Sequence, residues 1–398
     1  MEAIPFHRPL TGKEEEEAVL RVLRSGWLTT SKEALAFEEG FRSFLLQGAE
    51  KPQPDLFCLA VNSATSGLHL ALEALGAGPG DAVLLPSYTF TATAEVVRYL
   101  GAEAVFIDIA DDSYNISPGT LESALEKLKK TSPGLKPKTV IPVHIGGCPC
   151  DMAAINSTAK NYGLTVVEDT AHAFPAKTGD GQWAGTCSDV GVFSFYATKT
   201  ITTGEGGMVV TGRKELAERI AVMRSHGIDR SVWNRYTDTG ASWYYEVVAP
   251  GFKYNLPDLL AAVGRVQLGR AMELLAMRQK IAERYDNAFA NQEALIIAPP
   301  GCAQDRHARH LYTVRLRDAQ QRDTFIESLR NDGIGTSVHF IPLHIMPYYR
   351  DRYKLNPEDF PASYQRYKET VSLPIWPGMT TAQTDRVIDA VRRALKPK

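Results

Sequence analysis

Residues 193–207, FSFYATKTITTGEGG, place one lysine, Lys199, between an aromatic, apolar run and a glycine-rich turn. A lone lysine at the end of a strand usually extends its ammonium into water. Here the apolar flank predicts a buried strand, and the glycines suit a tight turn that lets the backbone pass close to another group. A lysine that loses its hydration can serve as an amine nucleophile. The segment alone leaves both interpretations open.

A second segment, VNSATSGLHLAL at 61–72, runs from a short strand through small residues into a helix. The first N–H groups of a helix are free to bind an anion, and the small side chains of Ala64, Thr65 and Ser66 would let a phosphate approach. The pattern is neither a Walker loop nor G-x-G-x-x-G, which disfavours ATP and dinucleotides. An ordinary serine or threonine cap of the helix is the alternative.

A third segment, LTVVEDTAHA at 164–173, ends a strand with Asp169 and places His172 three residues later. Open α/β sheets bind ligands at the carboxyl ends of their strands, and a carboxylate there needs a cation. Asp169 could also simply cap the next helix. Together, however, a phosphate-binding helix start, an aspartate and a lysine are the parts that hold pyridoxal phosphate. The lysine forms the Schiff base, and the aspartate keeps the pyridine nitrogen protonated.

The chain resembles the DegT/DnrJ/StrS-type sugar aminotransferases, which are fold-type I pyridoxal phosphate enzymes. The likeness runs nearly from end to end, in motifs that follow the family's order. They are SGWLTTSKEALAFEEGF, VNSATSGLHLAL, LLPSYTFTATAEVV, IPVHIGG, VVEDTAHA, FSFYATKTITTGEGGMVVT, RSHGIDR, GFKYNLPDLLAAVGRVQL and SLPIWPGMT.

The resemblance implies a role for individual residues. Lys199 matches the Schiff-base lysine and proton shuttle, Asp169 the partner of the pyridine nitrogen, and His172 the neighbour of the phenolate oxygen. The remaining matches are to the phosphate turn (Ala64, Thr65, Ser66 and Ser194), the aromatic residue that stacks on the ring (Phe90), the asparagine that reaches the phosphate of the neighbouring subunit (Asn255) and the sugar side of the cleft (Trp27, His226 and His339).

The resemblance also implies an activity. We expect a homodimeric aminotransferase with shared active sites that converts a nucleotide-linked keto sugar into an amino sugar, with L-glutamate as the amino donor. The K-Y-N and A-H-A forms favour C4 of a 4-keto-6-deoxy or related sugar, and a C3 aminotransferase is the nearest alternative. A branch with histidine in place of lysine dehydrates deoxysugars, so Lys199 disfavours a pyridoxamine-dependent dehydratase. A cofactor-binding regulator without turnover would be expected to lack Asp169 or Lys199.

Composition excludes several other classes. The 398 residues carry a formal net charge of −2, which gives no basic surface for nucleic acid or for a membrane. The N-terminus lacks the apolar core of a signal peptide, and no apolar run is long enough to span a bilayer. Five scattered cysteines predict free thiols rather than a zinc site. A cytoplasmic enzyme fits these features.

The elements that must position these residues follow from periodicity. From residue 58 onward short apolar runs alternate with helical ones, which predicts an α/β fold with a mostly parallel sheet and helices on both faces. After Pro257 the pattern changes to a long helical stretch at 259–289, short strands at 313–316 and 337–340, and a last helix at 381–395. We therefore expect a large cofactor-binding domain at 1–255 and a smaller α+β domain at 256–398. The segment 229–250 is expected to be a long functional loop.

Overall fold

A seven-stranded sheet forms the centre of the structure, a computed structural model that describes residues 2–48, 55–229, 244–298 and 306–396. Its strands are β1 (Phe57–Val61), β2 (Asp81–Pro86), β3 (Glu103–Ile107), β4 (Lys136–Val140), β5 (Thr165–Asp169), β6 (Val190–Ser194) and β7 (Gly207–Thr211). The spatial order is β1-β7-β6-β5-β4-β2-β3. The run from β3 to β6 is parallel, whereas β7 is antiparallel to both β6 and β1. The prediction of a mostly parallel sheet is confirmed.

Helices cover both faces of this sheet. They are α1 (Lys13–Ser25), α2 (Lys32–Gln47), α3 (Ala64–Ala74), α4 (Ala92–Tyr99), α5 (Pro118–Thr131), α6 (Met152–Asn161) and α7 (Lys214–Met223). One core joins Leu68 of α3, Val97 of α4 and Ile220 of α7 to the sheet. Another core joins Phe37 and Phe41 of α2 to the strands. Every residue of β6 and β7 is buried. Burial on both faces of the sheet accounts for the near-continuous apolar sequence of these strands.

The C-terminal part contains a second, smaller sheet. Its strands β8 (Leu295–Ala298), β9 (Tyr312–Leu316) and β10 (Thr370–Leu373) are antiparallel in the order β10-β9-β8. The accompanying helices are α8 (Asp258–Gly269), α9 (Ala271–Phe289), α10 (Arg322–Asn331), α11 (Pro347–Tyr353), α12 (Pro361–Glu369) and α13 (Thr381–Ala394). Val314, Phe325 and Val391 share its core, which Ile4 joins from the N-terminal segment.

Two elements differ from their sequence prediction. The helical stretch at 259–289 is two helices separated at Arg270, because α8 packs on α1 and α2 whereas the second half of α9 packs into the smaller core. Residues 337–340 are not a strand: Ser337 makes one bridge to Ser372, and Phe340 lines a cavity. The proposed domain boundary at 255/256 lies just before α8. Most of the expected loop at 229–250 lies outside the described residues.

None of the helices in the described ranges is long and apolar enough to cross a membrane.

Candidate active site

A cavity of about 560 Å³ lies at the carboxyl ends of β5 and β6. Asp169, His172 and Lys199 line it together, although they are separated along the chain by up to 30 residues. The parallel arrangement of β5 and β6 brings their carboxyl ends to the same edge of the sheet. The residues with which the sequence interpretation began therefore share one site.

Asp169 is the last residue of β5 and is buried. Its Oδ2 accepts a hydrogen bond from the Thr93 hydroxyl at 2.9 Å, and its Oδ1 accepts one from the Ala171 N–H at 3.2 Å. Burial raises the pKa of Asp169, and these two donors oppose that rise. A carboxylate held in this way is stabilised further by a cation placed in the cavity.

Lys199 lies in the turn after β6, where its backbone N–H donates to the Tyr196 carbonyl. Its side chain reaches the cavity and makes no hydrogen bond or ion pair with any described residue. Burial lowers the pKa of Lys199 to about 8, while the charge of Asp169 acts in the opposite direction. A usable fraction of the amine is therefore neutral near physiological pH.

His172 presents a hydrogen-bond donor to the cavity. Its Nδ1 accepts the Gly146 N–H at 3.3 Å, which assigns the ring proton to Nε2 in the neutral imidazole. Burial holds the pKa of His172 well below its ordinary value, so the ring stays neutral. The ring packs between His310, at a centroid distance of 4.4 Å, and Phe340, at 5.6 Å.

The N-terminus of α3 forms one end of the cavity. Ser63 caps the helix by accepting the Ser66 N–H, and Ala64, Thr65 and Ser194 line the space in front of it. The Ser66 hydroxyl donates instead to the Asn62 side chain at 2.7 Å, so Ser66 stabilises the turn. The backbones are close here: a Cβ on Gly207 would lie 2.8 Å from the Ala64 nitrogen. Free backbone N–H groups at this helix start suit a phosphate.

These groups match the chemistry of pyridoxal phosphate at both ends of the cavity. The helix N-terminus with its close backbone approach accommodates a dianionic phosphate, and the buried Asp169 carboxylate needs a cation such as a protonated pyridine nitrogen. Lys199 supplies the amine, and His172 supplies a donor for an oxygen on the ring. The residues present therefore fit the cofactor.

The rest of the cavity wall is aromatic and rich in histidine. Phe90 and His339, both predicted site residues, line the cavity, and Phe90 has 58% of its surface exposed. Sequence interpretation missed Phe6, His7, Ser337 and His310. His7 contacts the Ala197 carbonyl through Nε2 at 3.1 Å, across 190 residues of chain. No local pattern marks such residues, because they come from segments that meet only in the folded chain.

Besides Ser66, three predicted residues lie outside the cavity of this single chain. Asn255 donates through Nδ2 to the Thr30 hydroxyl at 2.5 Å, Trp27 is half-buried in the nearby segment before α2, and His226 is exposed. Their assignment to the site of a neighbouring subunit, or to a sugar, stays a prediction.

A buried network missed by the sequence interpretation fixes the end of β5. The Glu168 carboxylate accepts hydrogen bonds from the N–H groups of Gly185 and Cys187, the Ser188 hydroxyl and the His144 ring, at 2.8–3.0 Å. His144 Nδ1 accepts the Cys150 N–H, so a neutral His144 donates through Nε2. Since Glu168 precedes Asp169, the network holds the backbone that carries the site carboxylate.

Comparisons with known proteins show the family to which the chain belongs. A model of the DegT/DnrJ/EryC1/StrS aminotransferase family matches residues 9–392. The spore coat polysaccharide biosynthesis protein SpsC of Bacillus subtilis (strain 168) is 43% identical over 397 residues, which cover 99% of this chain and 97% of that protein.

Solved structures are similar over the same length. Spr1654 from Streptococcus pneumoniae in its PLP form has a TM-score of 0.87 at 28% identity, covering 99% of this chain and 98% of the other. PseC of Helicobacter pylori, an aminotransferase involved in the biosynthesis of pseudoaminic acid, has a TM-score of 0.86 at 28% identity, covering 99% of both chains. The chain therefore belongs to the DegT/DnrJ/EryC1/StrS aminotransferase family, as a sugar aminotransferase that uses pyridoxal phosphate.

Proposed function

We propose that this enzyme converts a nucleotide-linked keto sugar into the corresponding amino sugar, with L-glutamate as the amino donor. The observation that carries the proposal is that Lys199, the buried Asp169 carboxylate and an aromatic, histidine-rich wall line one cavity together. We propose C4 of a 4-keto-6-deoxy or related sugar as the carbon that receives the amine. The names of SpsC and PseC, which point to carbohydrate products, support a sugar substrate.

Several residues are proposed to hold the cofactor. When bound, pyridoxal phosphate supplies an electron sink for the reacting carbon. The N–H groups of Ala64 and Thr65 and the Ser194 hydroxyl would bind its phosphate. Asp169 would pair with the ring nitrogen, His172 Nε2 would donate to the ring oxygen, and Phe90 would stack on the ring.

Lys199 is the proposed proton carrier. With a pKa of about 8, its amine can accept the proton from Cα of the amino donor and later release it at neutral pH. In the second half of the reaction the same Nζ delivers a proton to the carbon of the sugar that receives the amine. A lysine at this position supports transamination over the dehydration that the resemblance associates with histidine.

The identity of the sugar is open to a direct test. The enzyme loaded with the pyridoxamine form of the cofactor is mixed with a panel of UDP- and dTDP-linked 4-keto and 3-keto sugars, and cofactor absorbance is followed. We expect a 4-keto-6-deoxy sugar to restore the pyridoxal form and to yield a C4 amino sugar, identified by NMR. A C3 amino product would support the alternative carbon, and a deoxygenated product without new nitrogen would contradict transamination.

A matched variant connects this activity to Lys199. Lys199→Ala should fold and bind the cofactor noncovalently, yet show no turnover with any sugar of the panel. Borohydride reduction of the wild-type holoenzyme should attach the cofactor to Lys199 only, as peptide mass spectrometry would show. Attachment at a different lysine would refute the assignment.

We propose that the active form is a cytoplasmic homodimer with shared sites. Leu20 and Leu23 of α1, Leu28, and Leu35 of α2 are all more than two-fifths exposed, and a second subunit would cover them. Asn255 belongs to the same region through its bond to Thr30, which supports a role across the interface. Among the described residues, Cys58, Cys150 and Cys187 are free thiols, in keeping with a reducing compartment.

A further inference from the structure

Arg278 is a fully buried arginine on α9, with 0% of its surface exposed. Its Nη1 points at three backbone carbonyls, those of Arg309, His310 and Ile375, at 3.3, 3.2 and 3.0 Å. These carbonyls belong to two segments far apart in sequence, just before β9 and just after β10. Arg278 therefore ties both segments to α9.

The charge of Arg278 has no counter-ion among the described residues. Within the described ranges no carboxylate lies within ion-pair distance, and Nε and Nη2 have no hydrogen-bond partner. By contrast, Arg315 of the neighbouring β9 makes two hydrogen bonds to the Glu369 carboxylate, at 2.7 and 2.8 Å. Since burying an unpaired cation costs stability, its presence indicates a role other than packing.

The two segments that Arg278 holds form the inner wall of the cavity. His310 and Ile375 both line the space that contains Lys199. His310 also packs on His172, which presents the ring donor. A shift of this inner wall would displace His172. The positive charge of Arg278 lies behind the wall and would act on groups inside the cavity.

We propose that Arg278 is a positioning residue for the reaction: it holds the inner wall of the cavity in place and sets an uncompensated positive charge behind that wall. This inference rests on the proposed function in one respect, the role assigned to Lys199. Near neutral pH a lysine must lose its proton before it can attack the cofactor or accept a proton from substrate.

The pKa of Lys199 depends on all the charged and titratable groups that face it. Burial and the charge of Arg278 lower the pKa of Lys199, and Asp169 at the end of β5 opposes them. Glu205 also lines the cavity. The histidines near Lys199, which are His7, His172, His310 and His339, have pKa values lowered by burial and stay neutral. Burial lowers the pKa of Arg278 to about 9, so its guanidinium stays charged at neutral pH.

The test separates charge from shape in the cofactor-free enzyme. Arg278→Gln and Arg278→Met remove the charge, whereas Arg278→Lys replaces the fork of donors by one amine. Arg315→Gln is the matched control, because it removes a nearby paired guanidinium. The ionisation of Lys199 is measured by trace acetylation with acetic anhydride across about pH 6 to 10, and the Lys199 peptide is quantified by mass spectrometry.

We expect Lys199 to titrate near pH 8 in the wild type and in Arg315→Gln. In Arg278→Gln and Arg278→Met the titration should move upward by about half a pH unit or more, which is about threefold less acetylation at pH 7. Arg278→Lys should still lose turnover, because its shorter side chain places the ammonium farther from the three carbonyls that Nη1 contacts.

Two results would overturn the proposal: an unchanged Lys199 titration in both charge-removing variants, or an equal shift in Arg315→Gln. The glutamine variant guards against a folding failure, since its amide can still donate to the buried carbonyls that Arg278 holds. Failure of the proposed function is distinguishable, because borohydride would then label a lysine other than Lys199 whatever the titration shows.

Discussion

Asp169 is the residue whose charge the site depends on most directly. Asp169→Asn keeps the size of the side chain but cannot neutralise a protonated ring nitrogen, so we expect the cofactor to bind and turnover to fall about a thousandfold, or about 4 kcal/mol. Thr93→Val is the matched control, because it removes the hydroxyl that donates to Oδ2 and leaves the charge. It should cost about tenfold. Near-normal kinetics of the asparagine variant would show that another group protonates the ring.

A second prediction at the residue scale concerns the effect of Lys199 on the free energy of unfolding. Its pKa is lowered from 10.5 to about 8, so the unfolded chain binds a proton more tightly than the folded one. This group therefore destabilises the cofactor-free protein by up to about 3 kcal/mol below pH 8, and the cost disappears as pH rises from 8 to 10.5. Lys199→Met should be more stable than wild type in urea unfolding at pH 7, with an advantage that shrinks by about that amount at pH 10.5. A pH-independent difference would contradict the lowered pKa.

At the scale of elements, the start of α3 depends on the absence of a side chain at Gly207 of β7. Gly207→Ala would place a Cβ 2.8 Å from both the Ala64 nitrogen and the Phe193 carbonyl, which forces the helix start away from the strand. We expect about 1–3 kcal/mol of destabilisation and about tenfold weaker cofactor binding. Gly134→Ala, in open space, is the control and should change neither melting temperature nor affinity. Equal behaviour of the two variants would rule out this close approach as a determinant of binding.

At the scale of the whole molecule, the shared-site dimer makes a prediction that no single chain can satisfy. If Asn255 acts across the interface, a dimer of one Lys199→Ala and one Asn255→Ala subunit has one site with both changes and one site with neither. Losing a charge-assisted hydrogen bond to phosphate should weaken cofactor affinity about ten- to a hundredfold in the Asn255→Ala homodimer. After joint unfolding and reassembly, activity at limiting cofactor should approach about a quarter of wild type, because about half of random dimers are mixed. A mixture that shows only the average of its parents would place Asn255 within its own site.

The residues at strand ends and helix starts were predictable from the sequence alone. Asp169, Lys199 and the turn at 63–67 lie next to apolar runs that fix their strands and helices, so local periodicity places them at the ligand-binding edge of a parallel sheet. The segment of Asp169 also predicted His172, and the resemblance then added Phe90 and Ser194; all three line the cavity. A reactive residue can therefore be predicted from sequence when the strand or helix that positions it lies in the same segment of the chain.

Only the tertiary structure decided which distant residues complete the site. His7 meets the Lys199 turn across 190 residues, and Arg278 meets Ile375 across 97, so no periodicity records either contact. The break at Arg270 has the same origin: the local propensity is helical throughout, but α8 and the second half of α9 pack on different cores. Sequence therefore determined the elements and their reactive ends, because these depend on neighbours along the chain. Folding decided the inner wall and the charge behind it, because these depend on contacts that exist only after the cores have formed.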